Sequence, residues 1–158
     1  MRFYLMRHGE AGFDATVDSQ RNLTDLGQRE VLHMGARLAQ EFGGCRLVLV
    51  SPYVRAQQSW RCLQASLPQD AEVITLDELV PNADPGVCHD VIVAHAALST
   101  TDAVLVVAHM PLLAYLLREF VAGVEPPLFA TAAVASLEVN DGSARVLSLH
   151  SPTVPAVL

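Results

Sequence analysis

Four side chains in this sequence could do chemistry together: Arg7 and His8 in "LMRHGEA", Arg55 in "SPYVRAQQS" and His109 in "VVAHMPLL". Arginines grouped with histidines suit a phosphoryl group. A guanidinium fork matches two phosphate oxygens at once, and a neutral imidazole nitrogen can attack phosphorus and carry the phosphoryl group until water removes it. A second imidazole can hydrogen-bond an equatorial oxygen and stabilise the charge spread over the transferring group. Nearby cations also favour the uncharged, nucleophilic form of His8. Zinc is a poorer guest, because it wants a third ligand and clustered guanidiniums repel a divalent cation. No metal and no cofactor is expected.

These residues do chemistry only if the fold gathers them. Short apolar runs, the candidate strands, occur at residues 2–6, 46–50, 72–76, 103–108, 133–139 and 144–149. Between the first two, Val31, Leu32, Gly35, Leu38, Ala39 and Phe42 recur at the three-and-four spacing of an amphipathic helix over residues 25–42. Thr24 is its expected cap and Gly43-Gly44 its end. Further helices are expected at about 53–66, 86–98 and 111–122. The last two strands meet across "NDGS", an Asp-Gly hairpin turn. Alternating strands and helices predict an α/β fold, a three-layer α/β/α sandwich. Its central sheet has about six strands, mostly parallel, and the final hairpin supplies one antiparallel edge.

In such a sheet the carboxyl ends of the parallel strands share one edge, where ligands bind. Arg7 and His8 end the first strand, Arg55 lies one turn into the helix after the second, and His109 ends the fourth. Each alone has an ordinary structural explanation. Two histidines and two arginines at corresponding strand ends are much harder to assign to chance. His33, His89, His95 and His150 do not share this placement and read as structural or surface residues.

Composition narrows the possibilities. At 158 residues, with 51% hydrophobic and 17% charged residues, the chain suits one well-packed domain, residues 1–158. The run from Ala103 to Leu117 is broken by His109 and Pro111 and falls short of a membrane span. With no signal-peptide pattern at the start, a cytoplasmic location is expected, without membrane attachment. Net charge is −7 and every basic side chain is arginine. The lack of lysine excludes Schiff-base chemistry and the Walker phosphate loop, and the acidity argues against nucleic acid as a partner. Cys45, Cys62 and Cys88 are odd in number and widely spaced, as expected for reduced, packed thiols. The proline-containing tail "SPTVPAVL" is expected to lie along the surface.

Together the three motifs resemble the histidine phosphatase superfamily, a phosphoglycerate-mutase-like fold whose signature is Arg-His-Gly after the first strand. With "DSQRNLTDLG" before the first helix and "PPLFATAAVASLEV" near the end, the chain is similar, over nearly its whole length, to the SixA group of phosphohistidine phosphatases. The resemblance implies that His8 becomes phosphorylated, that Arg7 and Arg55 hold the phosphoryl oxygens, and that His109 completes the pocket. It further implies Arg21 as a phosphate ligand and Asp18 as an orienting carboxylate. Gly9 would let the backbone pass close to the bound group. Ala108-His109 stands where the superfamily usually has Gly-His, a mild departure.

For a general acid the candidate is Glu78, just beyond the third strand, with Glu10 second. A phosphoramidate needs only ring protonation for its imidazole to leave, whereas an alkyl ester must expel an alkoxide. A weakly supplied acid therefore favours phosphohistidine. The stretch from Glu78 to Ala103 has room for one helix and no lid, so a protein side chain could reach the pocket. The expected partner is a phosphohistidine protein such as a phosphotransfer domain, and the expected state is a monomer or weak dimer. The alternatives are hydrolysis of a small phosphorylated molecule (sugar phosphate, nucleotide or coenzyme fragment) and a non-catalytic phosphate-binding module.

Overall fold

Where valine, leucine and alanine run without polar interruption, the chain forms strands buried on both faces, as parallel sheets require. The computed structural model describes residues 1–153. Its elements are β1 (Arg2–Arg7), α1 (Asp25–Arg37), α2 (Ala39–Phe42), β2 (Cys45–Val50), α3 (Val54–Cys62), β3 (Glu72–Thr75), α4 (Pro85–Leu98), β4 (Ala103–Ala108), α5 (Leu112–Phe120), β5 (Val134–Asn140) and β6 (Ser143–His150). The last five residues, and with them most of the proline-containing tail, lie outside the described residues.

The six strands form one sheet in the order β3-β2-β4-β1-β5-β6. β1 to β4 are mutually parallel; β5 pairs antiparallel with β1, and β6 antiparallel with β5. The expected α/β architecture, mostly parallel with an antiparallel edge, is what the chain adopts. At the hairpin Asn140 pairs with Ser143, and Gly142 takes the left-handed φ of 71°. Side-chain alternation along β1 divides the core. Phe3 and Leu5 pack with Ile92 of α4 and Leu113 and Leu117 of α5. Tyr4 and Met6 face Val31 and Met34 of α1 and Leu63 beyond α3.

The first helical segment differs from the expected pattern. Its buried face uses Gly27, Val31, Met34 and Gly35, whereas Leu32 is 53% exposed. The buried Leu38 leaves helical geometry (φ −108°, ψ 24°), so the expected single helix becomes α1 and α2. Thr24 caps α1 as expected, its side chain accepting the Gly27 N–H at 3.0 Å. The helix after β2 is also shorter than expected, giving way to a 3₁₀ turn at Gln64–Ser66 before Pro68. Between Leu79 and Ala103 the only helix is α4, capped by the Asp84 side chain on the Val87 N–H. Among the described residues no helix is long and apolar enough to cross a membrane.

One backbone contact ties α1 to the end of β1. A Cβ on Gly9 would lie 2.5 Å from the Gly27 carbonyl oxygen, and a Cβ on Gly27 would press into the Glu10 carbonyl. Both neighbours are backbone and cannot swing aside, so the pair admits no side chain. Gly27→Ala is expected to destabilise the protein by about 1–3 kcal/mol or more through overpacking. Denaturant unfolding checks this, and a midpoint equal to wild type would refute it.

Candidate active site

Strand register brings the two histidines together. Arg7 pairs with Ala108 across β1 and β4, so His8 and His109 leave adjacent strands side by side. Their ring centroids are 5.0 Å apart. The His8 main chain is held on both sides, its N–H donating to Ala108 O (3.1 Å) and its carbonyl accepting from Ala132 N–H (2.9 Å). Ala132 adopts a φ of 59°, unusual for a residue with a Cβ. β2 ends one strand further along, where the Ser51 N–H donates to Val107 O. α3 begins just beyond and carries Arg55, which is only 5% exposed.

The His8 ring has a defined tautomer. Its Nδ1 lies 2.6 Å from the Gly9 carbonyl, which can only accept, so Nδ1 carries the proton. The Nε2 lone pair then accepts from Arg55 Nε–H at 3.3 Å. Burial is the main cause that lowers the His8 pKa to about 4, helped by the cations Arg55, Arg7 and Arg21 and opposed by the Gly9 hydrogen bond. Burial, reinforced by His8 and Arg55, lowers that of His109 to about 2. Both rings are neutral near pH 7, and His8 offers a lone pair at Nε2.

The cations differ in how they are held. Arg7 donates from Nη1 to Phe129 O (2.8 Å), while its Nε is buried without a partner. Arg55 donates from Nη1 to Asp18 O (2.7 Å) and from Nη2 to Asp18 Oδ2 (3.1 Å). Arg21 donates from Nη1 to Asp18 Oδ1 (2.9 Å) and from Nε to Gly12 O (2.7 Å), and stacks over the exposed Phe13 ring at 4.4 Å. Asp18 therefore joins two arginines, and those hydrogen bonds, first from Arg21 and then from Arg55, hold its carboxyl below the usual range.

Arg7, His8, Arg55 and His109 thus converge, with Asp18 and Arg21 linked to them through Arg55. Gly9 is also at the site, although its bare Cα faces the Gly27 backbone. Among the described hydrogen bonds, neither carboxyl candidate bonds to this group. Glu10 Oε1 accepts from the Thr24 hydroxyl (3.2 Å) at the start of α1. Glu78 follows the edge strand β3, where its charge adds to burial in raising the Cys88 thiol pKa to about 12. All three cysteines are free thiols.

Several supporting residues escape the motif reading. Ser51 Oγ lies 2.7 Å from His109 Nε2. The Ser59 hydroxyl accepts the Gly9 N–H (3.1 Å) and donates to Arg55 O (2.7 Å). The Glu30 carboxylate accepts the Glu10 N–H (2.9 Å) and the Thr131 hydroxyl, bracing the loops beside Arg7. Ser51 follows β2 as His8 and His109 follow their own strands, and Ser59 lies one helical turn after Arg55, so the same positional logic extends to both.

A parallel-sheet edge that holds two neutral imidazoles among three guanidiniums carries the groups that phosphoryl transfer through histidine requires. The sequence profile of the histidine phosphatase superfamily (branch 1) matches residues 3–80. The chain is 38% identical to the phosphohistidine phosphatase SixA of Escherichia coli (strain K12), over 89% of its own length and 87% of the relative's. It is 32% identical to the SixA homolog of Haemophilus influenzae across 98% of both. A solved structure of the protein histidine phosphatase SixA complexed with tungstate superposes with a TM-score of 0.88 at 35% identity, covering 96% of this chain and 97% of the other. The chain belongs to the histidine phosphatase superfamily and is a hydrolase of its SixA group.

The lowered histidine pKa values give a measurable pH signature. The ordinary imidazole value is 6.5 and the folded value for His8 is about 4. Between them the unfolded chain binds more protons than the folded one, so this contribution to stability is complete above 6.5 and is lost as pH falls through the folded value. By NMR the His8 ring is expected to titrate near pH 4, and the melting temperature is expected to fall as the solution is acidified below 6.5. A His8 midpoint between pH 6 and 7 would overturn the assignment.

Proposed function

We propose that the protein removes the phosphoryl group from phosphohistidine on another protein, with His8 as the phosphorylated intermediate. One observation carries the reading. Among the described residues, the buried side-chain polar atoms without a partner are Arg7 Nε and His109 Nδ1, both beside His8. Leaving buried polar groups unpaired costs about 1–3 kcal/mol each, and a phosphoryl group seated over His8 would give both an acceptor. The relatives named phosphohistidine phosphatase support the same substrate class.

The geometry supports a two-step reaction. Arg55 Nε–H, which caps His8 Nε2, turns to a phosphoryl oxygen as substrate enters, and this frees the lone pair. The substrate ring takes a proton from solvent at its other nitrogen, His8 Nε2 attacks phosphorus, and the P–N bond breaks with its electron pair staying on that ring, which leaves as a neutral imidazole. Water then attacks phosphorus, the bond to His8 breaks, and inorganic phosphate departs. Arg7, Arg55 and His109 stabilise the equatorial oxygens in both steps. No alkoxide has to be expelled, so the step does not require a carboxylic acid beside His8. The connection between β3 and β4 holds a single helix, α4, and no long insertion, which supports a phosphorylated side chain on a partner protein as the substrate. Such a protein is the partner, in the cytoplasm, and the whole chain acts as one domain.

Phosphate release should be measured in parallel from a phosphohistidine protein, a phosphoserine peptide and a sugar phosphate. The phosphohistidine protein is expected to turn over fastest. His8→Ala is expected to lose roughly 10⁴-fold or more in kcat, as loss of a nucleophile does, and Arg55→Ala about 10²–10³-fold. An acid-labile label on His8 should be trappable in wild type alone. Faster hydrolysis of the sugar phosphate, or equal activity in His8→Ala, would refute the proposal.

A further inference from the structure

His109 can serve a phosphoryl oxygen only if its Nδ1 carries a proton, because two lone pairs facing each other repel. Among the described residues nothing bonds Nδ1, so the tautomer is decided at the other nitrogen. There the partner is Ser51, fully buried, with Oγ 2.7 Å from Nε2. A hydroxyl can donate or accept, and the surroundings choose. Ser51 Oγ already accepts the Tyr53 N–H at 3.2 Å. Among the described hydrogen bonds its own proton has no acceptor other than His109 Nε2. If Nε2 carried the proton instead, the Ser51 hydroxyl hydrogen would be buried without an acceptor, and the Nδ1 lone pair would be buried without a donor. When Ser51 donates, its hydroxyl is fully paired, and Nδ1 is left as an N–H donor that awaits an acceptor such as a phosphoryl oxygen.

We propose that Ser51 is a positioning residue that fixes His109 in the Nδ1–H tautomer, turning its buried, unpartnered nitrogen into a donor for the transferring phosphoryl group. The inference deepens the phosphatase reading and rests on it for its catalytic consequence. Ser51 is built to hold this bond. Its N–H is tied to Val107 O at 3.1 Å, and its carbonyl accepts Gln57 Nε2–H at 2.9 Å. The Tyr53 ring meets the His109 ring edge-on at 5.0 Å, which restricts rotation of the imidazole. Protonation of both nitrogens does not compete, since burial keeps His109 neutral.

The test combines ¹⁵N-imidazole NMR, tungstate binding and kinetics on wild type, Ser51→Ala and Ser51→Thr. In wild type His109 is expected as the Nδ1–H tautomer without substrate. Ser51→Ala should show a substantial Nε2–H population, bind tungstate more weakly, and lose roughly 10- to 100-fold in kcat/KM, the scale for removing a group that orients a functional histidine. Ser51→Thr, which keeps the hydroxyl, should restore the tautomer and most of the activity, separating the hydrogen bond from packing. An Nε2–H His109 in wild type, an unchanged tautomer in Ser51→Ala, or a kcat/KM within twofold of wild type would overturn the proposal. If wild type shows the Nδ1–H tautomer yet releases no phosphate from a phosphohistidine protein, the phosphatase reading fails while the tautomer assignment stands.

Discussion

The parallel pairing of β1 with β4 is the constraint on which the site depends. The two strands lie at the centre of the sheet, buried on both faces, and a slip of one residue would turn every side chain of β1 to the opposite core. Phe3 and Leu5 would then meet α1, while Tyr4 and Met6 would face α4 and α5. The hydrophobic cost of that exchange fixes the register, and the register sets His8 beside His109. Placement of the proposed nucleophile is thus a by-product of core packing. The same pairing supplies Ala108 O to the His8 N–H, so the main chain at the reacting residue is as rigid as the strand that delivers it.

Once two imidazoles are buried at this edge, the charges around them follow. Desolvation alone favours their neutral forms, and the guanidiniums push the same way, so neither ring needs a base to be ready near pH 7. The arginines would repel one another without an anion between them. Asp18 fills that place with its carboxylate and its main-chain carbonyl, on a short 3₁₀ turn at Asp18–Gln20. Arginine suits these positions better than lysine, because a planar fork can grip Asp18 with its terminal nitrogens while Nε stays on His8.

Much of this was legible in the sequence, and what escaped did so for physical reasons. Arg7, His8, Arg55 and His109 could be grouped because strand-end positions converge in any parallel sheet, whatever the side-chain detail. The strand set and the Asp-Gly hairpin were legible because runs such as "AVLVVA" leave no competing periodicity. The α1 face was harder to read. Leu32 and Met34 are both apolar, and only the position of the sheet decides that Met34 turns inward and Leu32 outward. The break at Leu38 has no glycine or proline to announce it. Ser51 and Glu30 act through hydrogen bonds across the fold, to His109 and to the Glu10 and Thr131 loops, and residue type alone carries no sign of such partners. Gly9 was legible as a glycine of necessity, but the backbone it accommodates is that of Gly27.

The balance of charge bears on turnover as well as on binding. Three guanidiniums, Arg7, Arg21 and Arg55, face the carboxylates of Asp18 and Glu30, while the histidines contribute nothing. The site therefore carries about one net positive charge before substrate arrives. A phosphoryl group brings about −1.5 to −2, so the filled site is close to neutral or slightly negative. Tight uniform binding of phosphate would lower the free energy of substrate and product as much as that of the transition state, and would slow release. A modest net charge avoids that trap. On the proposed mechanism, transition-state stabilisation then falls to directed donors on Arg7, Arg55 and His109, whose hydrogen bonds depend on where the oxygens sit as well as on how much charge they carry.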